Sequence, residues 1–333
     1  MKWGICGTGK ICNDFCGALQ LLNHDDHQIT AVADRDIDSA QKFAEKFKIP
    51  KAFGCYEDFA REPTVDIVYI GVVSFEHCRL SIMMLNNGKH VLCEKPVTLN
   101  LKELEKVLKV AKDKQLFFME ALWSRFFPAY EKVRNAMDSK SLGEVRYVQA
   151  EFCLPVFNCE QVKKRELGGG GLLYIGIYAI QWALLAFKEK PDKIFAVGHL
   201  HETGVDQSAT IIFKYKGGQM ANLTYNTEIQ SECTASICGT KGRIQLPYPF
   251  WAPTKVTINE EEMEFPLSSG EFKFNLVNSA GLSYEAECVR KCIEKGQLEC
   301  PLFPHSESIT IMTIMDEVRR QLGVKYDVDD IEP

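Results

Sequence analysis

The chain has 333 residues, 46% hydrophobic and 25% charged, a composition suited to a globular protein long enough for two domains. A formal net charge of -6 gives no electrostatic case for nucleic acid or an anionic membrane as partner. No apolar run is expected to approach the roughly 20 residues of a membrane span, and the N-terminus opens on strand-like residues without signal-peptide anatomy, so a cytoplasmic protein is expected.

Trp3-Gly-Ile-Cys-Gly-Thr-Gly-Lys-Ile-Cys12 reads as a strand, a glycine-rich turn and the start of a helix. Gly7 and Gly9 fit the first two glycines of a dinucleotide fingerprint, with Thr8, Lys10 and Ile11 in the same turn. Cys12 stands at the third position, where a small residue serves helix–strand packing. A second strand, His27 to Ala33, ends in Asp34 and Arg35. An acid there receives the ribose hydroxyls of NAD, whereas an arginine pairs with the 2′-phosphate of NADP. These two residues alone leave both cofactors open.

The alternation continues with a helix over Asp38 to Phe47, a strand over Val65 to Gly71 and a helix over His77 to Asn87. A strand over Val91 to Cys93, a helix over Leu101 to Lys114 and a strand over Leu116 to Ala121 follow. This pattern predicts a parallel, doubly wound α/β sheet. The strand at Val91 stops in Glu94-Lys95-Pro96. Ligands of open α/β sheets bind outside the carboxyl ends of the strands, so Lys95 is a candidate catalytic residue and Glu94 a neighbour of the cofactor.

After Gly143 the texture changes to alternating strands. They cover Val145 to Phe152, Lys193 to Leu200, Ser208 to Tyr215, Gln219 to Thr227, Cys233 to Cys238 and Gly242 to Leu246. Helices are expected over Leu172 to Phe187, Ser283 to Lys295 and Ser306 to Leu322. The result is an α+β domain whose large, mainly antiparallel sheet has one face uncovered by helices. That open face is expected to carry Tyr147, Phe213, Tyr225 or their neighbours, depending on register, and to make a homodimer. The division is residues 1–122 for the Rossmann domain and 123–333 for substrate binding and dimerisation, with the last helix able to pack back on the Rossmann domain.

Thirteen cysteines are scattered without the paired short spacings of a zinc site, so buried thiols in a reducing compartment and no metal are expected. Gly168-Gly-Gly-Gly171 leads into a helix carrying Tyr174 and Tyr178, four residues apart and so expected on one face. A phenol, with its pKa of about 10, becomes a useful base when a lysine ammonium lies close, and Lys95 is the candidate partner of Tyr178.

Together these residues resemble the glucose-fructose oxidoreductase/inositol dehydrogenase (Gfo/Idh/MocA) family, and within it a dimeric branch that oxidises dihydrodiols. The resemblance runs over nearly the whole chain, through Val91–Pro96, Met119–Pro128, Gly176–Tyr178, His201–Asp206, Ser236–Gly242 and Ala280–Glu285. It implies a Rossmann domain, an open-faced dimerisation sheet, NADP as cofactor with Arg35 on the phosphate, a Lys95–Pro96 bond able to be cis, and catalysis by Tyr178 with Lys95. Substrates implied are trans-dihydrodiols of aromatic hydrocarbons and sugars such as D-xylose. Trp123, Phe152, Trp251 and Phe274 match its aromatic substrate pocket, and Arg146 matches a subunit-interface position. Two departures stand out: Tyr174 replaces a substrate-orienting aspartate, and His199-Leu200 replaces interface arginines. Tyr174 supports the alternative of a cofactor-binding protein with weak or lost catalysis. Asp34 supports that of an NAD-dependent sugar or inositol dehydrogenase.

Overall fold

The computed structural model describes residues 1–268 and 270–330, which form two compact units. The first comprises Met1–Thr98, Lys102–Phe126 and Leu267–Ser308; the second comprises Leu99–Leu101, Phe127–Pro266 and the chain from Ile309 onward.

The first unit contains strands β1 (Lys2–Cys6), β2 (Gln28–Ala33), β3 (Ala52–Phe53), β4 (Ile67–Ile70), β5 (His90–Glu94) and β6 (Phe118–Ala121). They form one parallel sheet in the order β3-β2-β1-β4-β5-β6, the doubly wound arrangement expected from the alternation. All four residues of β4 are buried, as a central parallel strand covered on both faces requires. The connecting helices are α1 (Lys10–Leu19), α2 (Ile37–Phe47), α3 (Tyr56–Ala60), α4 (His77–Asn86) and α5 (Leu101–Lys114). Asp36 caps α2 by accepting from the Asp38 amide, and Lys48 ends it in the left-handed region.

The second unit opens with α6 (Pro128–Asp138), where proline at the first turn fits the missing intrahelical donor. It continues through β7 (Val145–Cys153), α7 (Glu160–Lys163), a π-helical turn (Leu172–Gly176) and α8 (Ile177–Phe187). Next come β8 (Lys193–Leu200), β9 (Asp206–Lys214), β10 (Met220–Asn226), β11 (Ala235–Gly239), β12 (Arg243–Leu246), β13 (Lys255–Ile258) and β14 (Glu261–Glu264). These eight strands form one sheet in the order β14-β13-β12-β11-β7-β10-β9-β8, antiparallel except between β7 and β10. The pair β13–β14 and helix α6 were not foreseen from sequence. Helix α9 (Leu282–Glu294) belongs to the first unit, as does the first turn of α10 (His305–Leu322), which continues in the second.

Two expectations need correction. The strand register places Tyr147 on the open sheet face, but Phe213 and Tyr225 on the face covered by α8, where they are 0% and 1% exposed. The open face instead exposes Phe195, Val197 and Met220 beside Tyr147. The second correction is that the stretch Arg165–Phe187, which ends in the π-helical turn and α8, is long and apolar enough by length and composition to span a bilayer. It is hydrophobic all round because it is a core helix, 89% of its most apolar window being buried within the protein.

Candidate active site

In the first unit the turn after β1 is built around Gly7, whose φ of +107° disfavours any residue with a side chain. A Cβ there would also lie 2.8 Å from the Gly71 carbonyl oxygen at the end of β4. Gly9 precedes the first turn of α1 and is exposed, leaving the helix N-terminus open to an anionic group. Thr8 is half-buried, Lys10 exposed and Ile11 half-buried. Cys12 does the packing work of the third fingerprint residue, its thiol pointing 3.2 Å from the Gly71 oxygen and burial raising its pKa. A Cβ on Gly71 would come within 2.5 Å of that sulfur, so this close approach of α1 to β4 needs small residues on both sides.

Asp34, at the end of β2, accepts from the Thr8 hydroxyl at 2.7 Å and from the Asp36 amide at 3.2 Å. Both carboxylate oxygens are thereby engaged with the protein, while Arg35 is exposed beside them. The glycine turn, the open helix start and these two residues suit a dinucleotide with its adenosine end near Asp34 and Arg35.

At the end of β5, Glu94 is 6% exposed and faces inward: Tyr69 on β4 donates to one oxygen at 2.6 Å and the Lys95 amide to the other at 3.2 Å. Burial raises the Glu94 pKa against the opposing pull of Lys95. Lys95 is half-buried and its pKa is lowered, by desolvation first, with the charges of Glu94 and Glu120 opposing. The Lys95–Pro96 peptide is cis.

Two residues outside the expected set, Glu120 and His77, brace this strand end, and a third, Asp14, holds a segment beside α1. Glu120, on β6, accepts from the Val97 amide at 3.1 Å and the Ser308 hydroxyl at 2.7 Å, and burial pushes its pKa up to about 7. His77, at the start of α4, places its two ring nitrogens 2.7 Å from the Pro96 oxygen and 3.2 Å from the Val72 oxygen. Two carbonyl acceptors favour the charged ring, but burial outweighs them and lowers the pKa, so the neutral ring donates to one carbonyl. His77 thus ties the loops after β4 and β5 together. Its position at a helix start just beyond a strand end was the available signal. Asp14, on α1, accepts from the Asn275 amide and side chain and from the Leu276 amide at 2.7–3.0 Å. That clamp fixes half-buried Phe274, whose ring meets Phe272 edge-on at 5.0 Å, next to the dinucleotide-binding helix. Trp123 is also in the first unit and is 5% exposed.

In the second unit Tyr178, 5% exposed on α8, packs against Phe152 with ring centroids 5.6 Å apart. Phe152 in turn stacks on Trp251 at 3.9 Å and 15°. The Trp251 loop is held by a relay in which Gln181 donates to the Tyr130 hydroxyl at 2.8 Å and that hydroxyl donates to the Phe250 oxygen at 3.3 Å. Tyr174 is placed differently. It lies in the π-helical turn that precedes α8, among different neighbours from those of Tyr178. Its ring packs on Phe157, Val162 and Val205, and its hydroxyl accepts from Gln161 at 3.3 Å.

The glycines before this turn answer to packing. A Cβ on Gly170 would lie 2.6 Å from Asp206, and Cβ atoms on Gly171 and Gly176 would lie 2.7 and 2.8 Å from the Tyr225 ring. Asp206 is fully buried and accepts from the Leu172 amide at 2.6 Å and the Tyr225 hydroxyl at 2.7 Å. It therefore caps the turn that leads into Tyr178.

Residues 1–122 match the family described as an oxidoreductase family with an NAD-binding Rossmann fold, and residues 130–245 match the GFO/IDH/MocA C-terminal domain. The chain belongs to the GFO/IDH/MocA oxidoreductase family. It is a dehydrogenase acting on CH–OH donors with a nicotinamide cofactor. It is 44% identical over 326 residues to trans-1,2-dihydrobenzene-1,2-diol dehydrogenase of Xenopus laevis, spanning 98% of this chain and 99% of that protein. The human protein of the same name is 42% identical over 330 residues, 99% of each chain. Among solved structures, KijD10, a 3-ketoreductase from Actinomadura kijaniata in complex with NADP and TDP-benzene, superposes with a TM-score of 0.81 at 24% identity, covering 98% of this chain and 99% of its own. An aldose-aldose oxidoreductase from Caulobacter crescentus complexed with glycerol gives 0.83 at 19% identity, covering 96% and 97%. At these identities both likenesses establish the fold.

Proposed function

We propose that this protein oxidises a secondary hydroxyl of trans-dihydrodiols of aromatic hydrocarbons, using NADP. The observation that carries the reading is the stacked Phe152–Trp251 pair against Tyr178, which offers an apolar aromatic wall beside a phenol. A planar, unsaturated ring carrying vicinal hydroxyls matches such a wall better than a fully hydroxylated sugar does. The relatives named for dihydrodiol oxidation, 40–44% identical along the whole chain, support the same substrate class.

In this reading the bound nicotinamide supplies the hydride acceptor. Tyr178 takes the hydroxyl proton, and Lys95 holds it as the more acidic phenol. Residues 1–122 bind the cofactor along Gly7, Thr8, Gly9, Lys10 and Ile11, with Glu94 bracing the turn that carries Lys95. Residues 123–333 provide the substrate pocket, with Trp123, Phe152, Trp251 and Phe274 as its aromatic residues. Engagement of both Asp34 oxygens, with Arg35 exposed alongside, favours NADP over NAD. Thirteen free cysteines support a reducing, cytoplasmic setting.

Tyr178→Phe is expected to lower turnover of trans-1,2-dihydrobenzene-1,2-diol by roughly 100-fold or more, while NADPH still binds by fluorescence titration. Near-normal turnover would overturn the assignment, and tighter binding of NADH than of NADPH would overturn the cofactor. A second reading, cofactor binding with weak catalysis, draws on Tyr174, whose side chain is committed to an apolar cluster and Gln161. It predicts NADPH binding without NADP reduction across a panel of diols and sugars.

A further inference from the structure

Helix α9 carries Cys288 and Cys292 one helical turn apart, and the loop after it carries Cys300. None of these residues has a role in the chemistry above. Their sulfurs all lie within 4.8 Å of one another, with Cys288 and Cys300 at 3.6 Å. Cys292 and Cys300 are buried and Cys288 is half-buried, so the cluster has a closed base and one side reachable from solvent. Two cysteines at such spacing would suit a disulfide; three sulfurs converging on one point form a donor set.

The distances can be tested against an ion. At the tetrahedral angle, zinc–thiolate bonds of about 2.3 Å put two sulfurs on one ion about 3.8 Å apart. The Cys288–Cys300 pair is already at about that separation, and the remaining sulfurs need a closure of up to about 1 Å, within reach of cysteine rotamers. Three soft sulfur donors select thiophilic d¹⁰ cations over magnesium or calcium, which prefer oxygen.

We propose that Cys288, Cys292 and Cys300 form a binding site for one thiophilic d¹⁰ cation such as Zn²⁺, with water from the open side as fourth ligand. The thiol protons leave to solvent as the sulfurs bind, and no electrons are transferred. The site ties the second half of α9 to the loop that follows it, within the first unit.

The test is titration of the reduced full-length protein with Cd²⁺, whose thiolate charge-transfer absorbance reports sulfur ligation. One saturating equivalent is expected, and Zn²⁺ should displace it. Cys292→Ser should weaken that equivalent by more than the roughly 100-fold that loss of an outer-sphere contact costs, with NADPH binding unchanged as the check on folding. Should buried Cys292 not tolerate serine, half-buried Cys288→Ala serves the same purpose. The proposal is overturned if absorbance rises without a saturating first equivalent, or if both variants bind as the parent does. It is equally overturned if the cluster forms a Cys288–Cys300 disulfide under mild oxidation and takes up no Cd²⁺ when reduced.

Discussion

At the scale of single residues the strand end at Lys95 is controlled by buried acids. Glu120 illustrates the sign. Its carboxyl is raised from 4.5 to about 7, so it favours the fold fully below 4.5 and that contribution is lost as pH rises through 7. The loss amounts to roughly 3 kcal/mol for a group this buried. Glu120→Gln should therefore remove about that much of the fall in unfolding free energy between pH 4.5 and 8, measured by urea denaturation. An unchanged pH slope would mean that Glu120 is already ionised in the native protein. Lys95 itself was legible in sequence, because a strand that stops in Glu-Lys-Pro marks the ligand-binding edge. Glu120 was not, because its closeness to Lys95 comes from the parallel register that pairs Cys93 with Glu120. Pairing partners so far apart in the chain leave no local mark.

At the scale of elements the two tyrosines fall in different windings, Tyr174 in the π-helical turn and Tyr178 at the start of α8. Four glycines and a following apolar helix were readable from sequence, and helical spacing suggested one face for Tyr174 and Tyr178. The spacing carries no information about which side chains surround each ring. The close packing of Asp206 under Gly170 and of Tyr225 under Gly171 accompanies the π-helical turn, and those two residues come from β9 and β10, 36 and 54 positions later. Asp206→Ala would strand the Leu172 amide and the Tyr225 hydroxyl in a buried setting, costing roughly 2–5 kcal/mol. Thermal and urea unfolding should show that loss, and turnover should fall more steeply than NADPH affinity, since the cofactor turn lies in the other unit. Equal losses in both would place the role of Asp206 outside the positioning of Tyr178.

At the scale of the molecule the open face of the eight-stranded sheet bears on assembly. Alternation along β7 to β10 was plain in sequence, yet which alternate residues faced outward depended on covering by α8. Phe195 and Val197 are 54% and 74% exposed on an edge strand, with Tyr147 and Met220 on the same face. We propose that this face pairs with its counterpart in a homodimer. Sedimentation should find a dimer at micromolar concentration, and Phe195→Asp with Val197→Asp should give a monomer of unchanged circular dichroism. A monomeric parent protein would exclude the pairing.

The clamp of Asp14 on Asn275 and Leu276 joins residues 261 and 262 positions apart. The cofactor unit is assembled from both ends of the chain, so synthesis of its first 126 residues does not complete it. On the ribosome, Phe272, which covers Gly17, and Asn275, which reaches Asp14, are made long after α1. Closure of so long a loop is entropically costly and slow. The nucleotide-binding unit, though first in sequence, therefore receives its last segment only after residues 127–266 of the second unit have been made.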